Sequence, residues 1–229
     1  MKKLKIGAVT VGQSPRTDIM VDAQRFLHDQ ADIIEFGALD RYSLTEAEAL
    51  LPVPGDYQLT SRLRNGKEVK VSRSQVIGEL KRGISWLEEQ GATLIMVLCT
   101  GQLEGLCGTV PILEPNLLVK KAVVQMTKKQ HILTLSPSEQ QILQSERRWK
   151  ESFPDLSFTS FGLSPYSSSV QFESVLEKIE QIQDADLLIM DCLGFSFEMY
   201  DRLRKATEKK VLLPRRLLFE TAAELLGIR

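Results

Sequence analysis

Two stretches of this chain share one pattern, an apolar run closed by Cys-x-Gly. They are Leu94-Ile95-Met96-Val97-Leu98-Cys99-Thr100-Gly101 and Leu187-Leu188-Ile189-Met190-Asp191-Cys192-Leu193-Gly194. A short apolar run ended by a glycine turn reads as a buried parallel strand. Such a strand has to be covered on both faces, which points to helices layered on a parallel sheet. Each cysteine then stands at the C-terminal lip of its strand, where open α/β sheets bind ligands. The chain has only three cysteines, and two of them occupy equivalent positions.

Other blocks recur in the same order. Val9-Thr10-Val11-Gly12-Gln13-Ser14-Pro15 resembles Leu133-Thr134-Leu135-Ser136-Pro137, and Glu35-Phe36-Gly37 resembles Ser160-Phe161-Gly162. After the two cysteine strands, Pro115-Asn116-Leu117-Leu118 resembles Pro214-Arg215-Arg216-Leu217-Leu218. Four blocks in one order predict an internal duplication, with a cleft between two related halves. The first half carries an insertion: Leu59–Leu63 and Glu68–Val71 flank Asn65-Gly66, a hairpin turn signal. Strands are expected at Leu4–Thr10, Ile33–Phe36, Leu94–Leu98, Ile132–Leu135, Ser157–Phe161, Leu187–Met190 and Val211–Leu213, and a short helical stretch at Thr45–Leu51. Ser72–Gln90 has helical periodicity through Val76, Leu80, Ile84 and Leu87 and stops at Gly91. Trp86 on that helix is expected in the core. Pro214–Leu226 opens with proline and ends at Gly227, as helices prefer.

The formal net charge of −1 and the scattered basic residues give no nucleic-acid or membrane surface. No apolar run approaches the roughly 18 residues of a membrane span. The N-terminal lysines lead straight into a strand, so no signal peptide is expected. Unpaired cysteines fit the reducing cytoplasm, the expected location. With His28 and His131 as the only histidines, a zinc site or a Ser-His-Asp triad is poorly supplied and no metal is expected.

A helix start beyond a strand end lowers a thiol's proton affinity, which makes Cys99 and Cys192 the candidate reactive groups. The competing reading is two small buried hydrophobes. Cys107 has no repeat partner and no assigned role. Ser14-Pro15-Arg16 reads as an N-cap, a first-position proline and a first-turn arginine, and Ser136-Pro137-Ser138-Glu139 as the matching capped start. Both starts suit a carboxylate or phosphate. Arg16 stands where a cation opposes the helix dipole, a cost that bidentate binding of an anion would offset. Asp191 should point away from Cys192 along the strand, which leaves it either tuning the thiol or purely structural. Arg215 and Arg216 are expected to be solvated. No Walker loop or dinucleotide fingerprint is present.

These residues resemble the aspartate/glutamate/hydantoin racemase superfamily, and more narrowly the AroM family. The motifs are Thr10-Val11-Gly12-Gln13-Ser14-Pro15-Arg16-Thr17-Asp18, Leu98-Cys99-Thr100-Gly101 and Met190-Asp191-Cys192-Leu193-Gly194-Phe195. The resemblance implies an α/β fold of two pseudo-symmetric flavodoxin-like halves with mostly parallel sheets. Its expected boundaries are residues 1–112 with 210–229 (hairpin near 57–71) and residues 113–209, the last helix returning to the first half.

The resemblance also implies cofactor-independent proton transfer on a small carboxylate, Cys99 and Cys192 serving as base and acid. Ser14, Arg16, Thr100 and Gly101 would bind the anion, with Thr10, Gln13, Ser136, Gly194 and Phe195 completing the site. Racemases of the superfamily usually carry Asn-Thr after the first cysteine, whereas this chain has Thr100-Gly101. Contacts to an amino group are therefore not reproduced, and the substrate stays open. Two other functions fit the same residues: a non-catalytic anion-binding or regulatory protein, and an enzyme using one thiol only. The expected partner is a small carboxylate or another anion; a homodimer is possible, and no nucleic acid or membrane is expected.

Overall fold

The computed structural model describes residues 3–228 of the chain. In order along the chain they form β1 (Leu4–Thr10), α1 (Thr17–Leu27), β2 (Ala31–Gly37), α2 (Leu44–Glu48), β3 (Gln58–Arg62), β4 (Glu68–Ser72), α3 (Arg73–Glu89), β5 (Leu94–Val97) and β6 (Ile112–Leu113). Then follow α4 (Pro115–Met126), β7 (His131–Ser136), α5 (Ile142–Ser152), β8 (Ser157–Gly162), α6 (Ser169–Glu180), β9 (Ala185–Met190), α7 (Phe197–Ala206), β10 (Lys210–Leu212) and α8 (Pro214–Leu225). Contacts divide them into two compact units, one reaching Pro115 and resuming at Leu218, the other spanning Asn116–Leu217.

The first unit holds a four-stranded sheet of order β2-β1-β5-β6, all parallel, and the antiparallel hairpin β3-β4. Its core joins Val9, Ile95 and Val97 of the sheet to Leu80, Ile84 and Leu87 of α3 and to Leu59, Val69 and Val71 of the hairpin. Each such side chain contributes about 1.5–3 kcal/mol on full burial. The hairpin is therefore part of the core. Trp86 departs from the expectation: it lies beside the apolar stripe of α3, is 38 % exposed, and rests on Phe36 at 5.8 Å between ring centroids.

The second unit has a sheet of order β8-β7-β9-β10, again all parallel, so the two sheets share one strand order. Along β9, Leu187 and Ile189 face a cluster with Val119, Val123 and Trp149. Leu188 and Met190 face another, with Phe172, Ile179 and Leu203. This alternation is the period of two that a strand buried on both faces requires. Because β10 pairs with β9, the chain returns to the first unit within α8, later than the boundary at 209/210 expected from the sequence. There Phe219 meets Phe26 of α1 at 6.2 Å.

Strand register corrects the repeat alignment. The Ala38 amide donates to the Thr10 carbonyl and the Leu163 amide to the Ser136 carbonyl, each at 2.9 Å. Thr10 thus corresponds to Ser136, not to Thr134. On the other side, Leu98 donates to Val9 and Asp191 to Leu135, so Cys99 corresponds to Cys192 as expected. The repeated Phe-Gly has a steric reason: the loops leaving β1 and β7 cross the ends of β2 and β8. A Cβ on Gly37 would stand 2.6 Å from the Ser14 nitrogen, and one on Gly162 2.5 Å from the Glu139 nitrogen.

Candidate functional site

At both strand ends the thiol sits in the same turn. The Gly101 amide donates to Cys99 Sγ at 3.3 Å, and the Gly194 amide donates to Cys192 Sγ at 3.4 Å. Both cysteines are partly exposed, whereas Cys107 is exposed. An N–H aimed at sulfur favours the anion over the neutral thiol, so the Cys-x-Gly spacing carries chemistry as well as a turn. Each glycine is also covered. A Cβ on Gly101 would meet Leu59 Cδ2 at 2.5 Å and Tyr57 Cε1 at 3.4 Å; one on Gly194 would meet Pro165 Cγ at 2.6 Å and Tyr166 Oη at 3.0 Å. An apolar side chain and a tyrosine therefore wall both turns. Sequence reasoning missed these four residues, although Pro165 and Tyr166 lie in the loop that follows the repeated Phe-Gly strand end.

The loop after β1 is built differently from the expectation. Ser14 is not the cap of α1: its amide and hydroxyl both donate to the Asp40 carboxylate, at 2.8 and 2.6 Å. Arg16 occupies the cap position, and its amide donates to Glu35 at 2.7 Å. The Arg16 guanidinium is 4 % exposed and forks onto the Asp18 carboxylate at 2.9 and 2.8 Å. It also donates to Thr10 and Ser61. The anion that Arg16 grips is thus supplied by its own helix. Gln13, 1 % exposed, donates to the Leu39 and Tyr42 carbonyls and accepts from the Arg64 amide. These contacts tie the hairpin to the lip of the sheet and commit Gln13, Ser14 and Arg16 to building it. Burial raises the proton affinity of Glu35, against the opposing pull of the Arg16 amide and guanidinium.

In the second unit, Ser138 replaces Ser136 as the residue before the first turn, a 3-10 turn over Glu139–Gln141 leading into α5. Ser136 ends β7 fully buried, and its hydroxyl has no hydrogen-bond partner. Its counterpart Thr10 accepts from Arg16 at 3.0 Å. Asp191 does point away from Cys192, toward α5. It accepts from Ser145 and Trp149 at 3.2 and 2.9 Å and pairs with the buried Arg148. Arg215, expected in solvent, is 1 % exposed and donates to the Leu193 and Gly194 carbonyls. Arg216 reaches the Tyr200 hydroxyl. Phe195, expected beside the ligand, is fully buried in the core. Thr100, 6 % exposed, follows Cys99 at the first lip.

Among the described residues, no group of three or more His, Cys, Asp or Glu is placed to hold a metal ion. No helix among them is long and apolar enough to cross a membrane.

The family described as AroM protein matches residues 6–226. Comparison with curated proteins finds no match. Among solved structures, allantoin racemase from Klebsiella pneumoniae superposes with a TM-score of 0.67 at 11 % identity, covering 99 % of this chain and 89 % of that one. The maleate isomerase Iso from Pseudomonas putida S16 gives 0.65 at 10 % identity, covering 99 % and 94 %. Glutamate racemase from Francisella tularensis subsp. tularensis SCHU S4, in complex with D-glutamate, gives 0.62 at 13 % identity, covering 98 % and 81 %. At such identities the likeness is one of fold, shared with these two racemases and this isomerase.

Proposed function

Given that this chain belongs to the AroM family and has the racemase fold, we propose that it is a cofactor-independent racemase or isomerase acting on a small carboxylate. Cys99 and Cys192 are its acid and base. The observation that carries this reading is the matched turn, a sulfur at an equivalent strand end receiving the amide of the glycine two residues on, in both units. One thiolate removes the proton next to the carboxylate, and the other thiol returns a proton to the same carbon. The mechanism requires both sulfurs to reach that carbon.

The Ser136 hydroxyl and Thr100 are assigned to the carboxylate and to the charge that develops on proton removal. Gln13, Ser14 and Arg16 hold the lip on which it binds. The apolar walls over Gly101 and Gly194 fit an acid without an α-ammonium group.

The test is incubation in D₂O with a panel of small hydroxy, keto and unsaturated acids, read by proton NMR. Deuterium enters the carbon next to the carboxylate of at least one acid, and the Cys99→Ser/Cys192→Ser double variant loses this activity. If an acid raises the melting temperature equally in wild type and double variant, and neither exchanges a proton, the chain is an anion-binding protein and the catalytic reading is wrong.

A further inference from the structure

The acid–base reading leaves the resting charges of its two thiols unassigned. We propose that Arg215 is the positioning residue that makes Cys192, not Cys99, the ionised thiol of the resting protein. Arg215 Nε donates to the Leu193 carbonyl at 2.8 Å, and Nη2 donates to the Gly194 carbonyl at 2.9 Å. The Leu193 carbonyl and the Gly194 N–H are the two ends of one planar peptide unit. A guanidinium holds one end; the other end donates to Cys192 Sγ. The cation fixes the plane of that peptide and polarises it, which strengthens its N–H as a donor. A stronger donor stabilises the thiolate, and so does a buried positive charge nearby.

The location of Arg215 supports this role. It lies in the first turn of α8, where a cation opposes the helix dipole, and it is removed from water. At the corresponding place in the first half of the repeat stands Asn116, a neutral residue that accepts from Arg148. Other charged or titratable groups come from the elements that flank the Cys192 turn. Asp191 precedes it and is paired with Arg148 of α5. Tyr166 lies against Gly194. Arg216 of α8 meets Tyr200 of α7. With Asp191 neutralised by its own partner, Arg215 is the charge that acts on this peptide.

The experiment is alkylation of the full chain by iodoacetamide across a pH series, with the rate at each cysteine followed by peptide mass spectrometry. Exposed Cys107 serves as the internal standard. Cys192 should react with a midpoint about one pH unit below that of Cys99, or about tenfold more thiolate below both midpoints. Arg215→Gln should raise the Cys192 midpoint and leave that of Cys99 in place, and Arg215→Lys should recover part of the shift. Equal midpoints in the wild type, or a lower one at Cys99, overturn the proposal, as does an Arg215→Gln profile identical to wild type. If Arg215→Gln does not fold, the wild-type and Arg215→Lys profiles decide alone. Alkylation needs no turnover, so this inference depends on the acid–base reading only for its meaning. Absence of proton exchange on every acid would remove that reading and leave the charge assignment standing.

Discussion

In the first unit the residue before Cys99 is Leu98, a buried leucine. In the second it is Asp191, a buried carboxylate held by Arg148, Trp149 and Ser145. The polar support of the first lip comes instead from the loops after β1 and β2, where Arg16, Gln13 and Asp40 join the sheet to the hairpin. The thiol turn is the same in both places, while what stands beneath it differs. A repeated fold therefore keeps the geometry of the cysteine turn and lets each copy find its own means of supporting it.

The largest test of this contrast is at Asp191. Removing one partner of a buried ion pair strands the other charge, so Asp191→Leu should cost about 3–5 kcal/mol in urea unfolding. The double change Asp191→Leu/Arg148→Met gives the second unit an apolar support like that of the first and should restore most of this loss. A double variant as unstable as the single one breaks the comparison.

The glycines sharpen it next. At Gly194 an added methyl meets the ring of Pro165, which has little freedom to move, whereas at Gly101 it meets the tip of the flexible Leu59. Gly194→Ala should cost about 1–3 kcal/mol by overpacking, and Gly101→Ala less, read as a difference in melting temperature. Smaller still is the contrast between Thr10 and Ser136. Thr10→Val removes one acceptor from Arg16, which keeps Ser61, and should cost about 0.5–1.5 kcal/mol. Ser136→Ala removes a hydroxyl without a partner, so its stability should match or exceed wild type.

The smallest effect concerns pH. Glu35 binds its proton more tightly in the folded state than the ordinary value of 4.5, because burial penalises its charge. Its stabilising contribution is thus full below that value and is lost as pH rises through the folded one. Glu35→Gln keeps an acceptor for the Arg16 amide and removes this dependence. The variant's melting temperature should gain on wild type between about pH 4 and pH 7; a gap that narrows in that direction contradicts it.

Much of this molecule was legible where local physics acts alone. Strand β1 falls at Leu4–Thr10 as expected, Asn65-Gly66 turns the hairpin, and α3 follows its apolar period. Strand β6 is two residues long and leaves no period to read. The AroM resemblance and the racemase fold were also readable, from the motifs around the two cysteines. What escaped was set by tertiary partners. Ser14 looked like a helix cap until Asp40 claimed it. Arg16 looked like an anion site until Asp18 supplied the anion. Arg215 looked solvated because nothing in its neighbourhood along the chain announces two carbonyls 21 and 22 residues earlier. Trp86 fell outside the core because it lies at the edge of the stripe formed by Leu80, Ile84 and Leu87.

The central claim is that the two matched thiols act as base and acid on one carbon. The most direct measurement is deuterium entry from D₂O into each of the two interconverting forms of a substrate, for wild type, Cys99→Ser and Cys192→Ser. The account predicts that wild type labels both forms. Each single variant loses interconversion while still exchanging the proton of one form, and the form that survives is opposite in the two variants. Interconversion that survives both substitutions would contradict it.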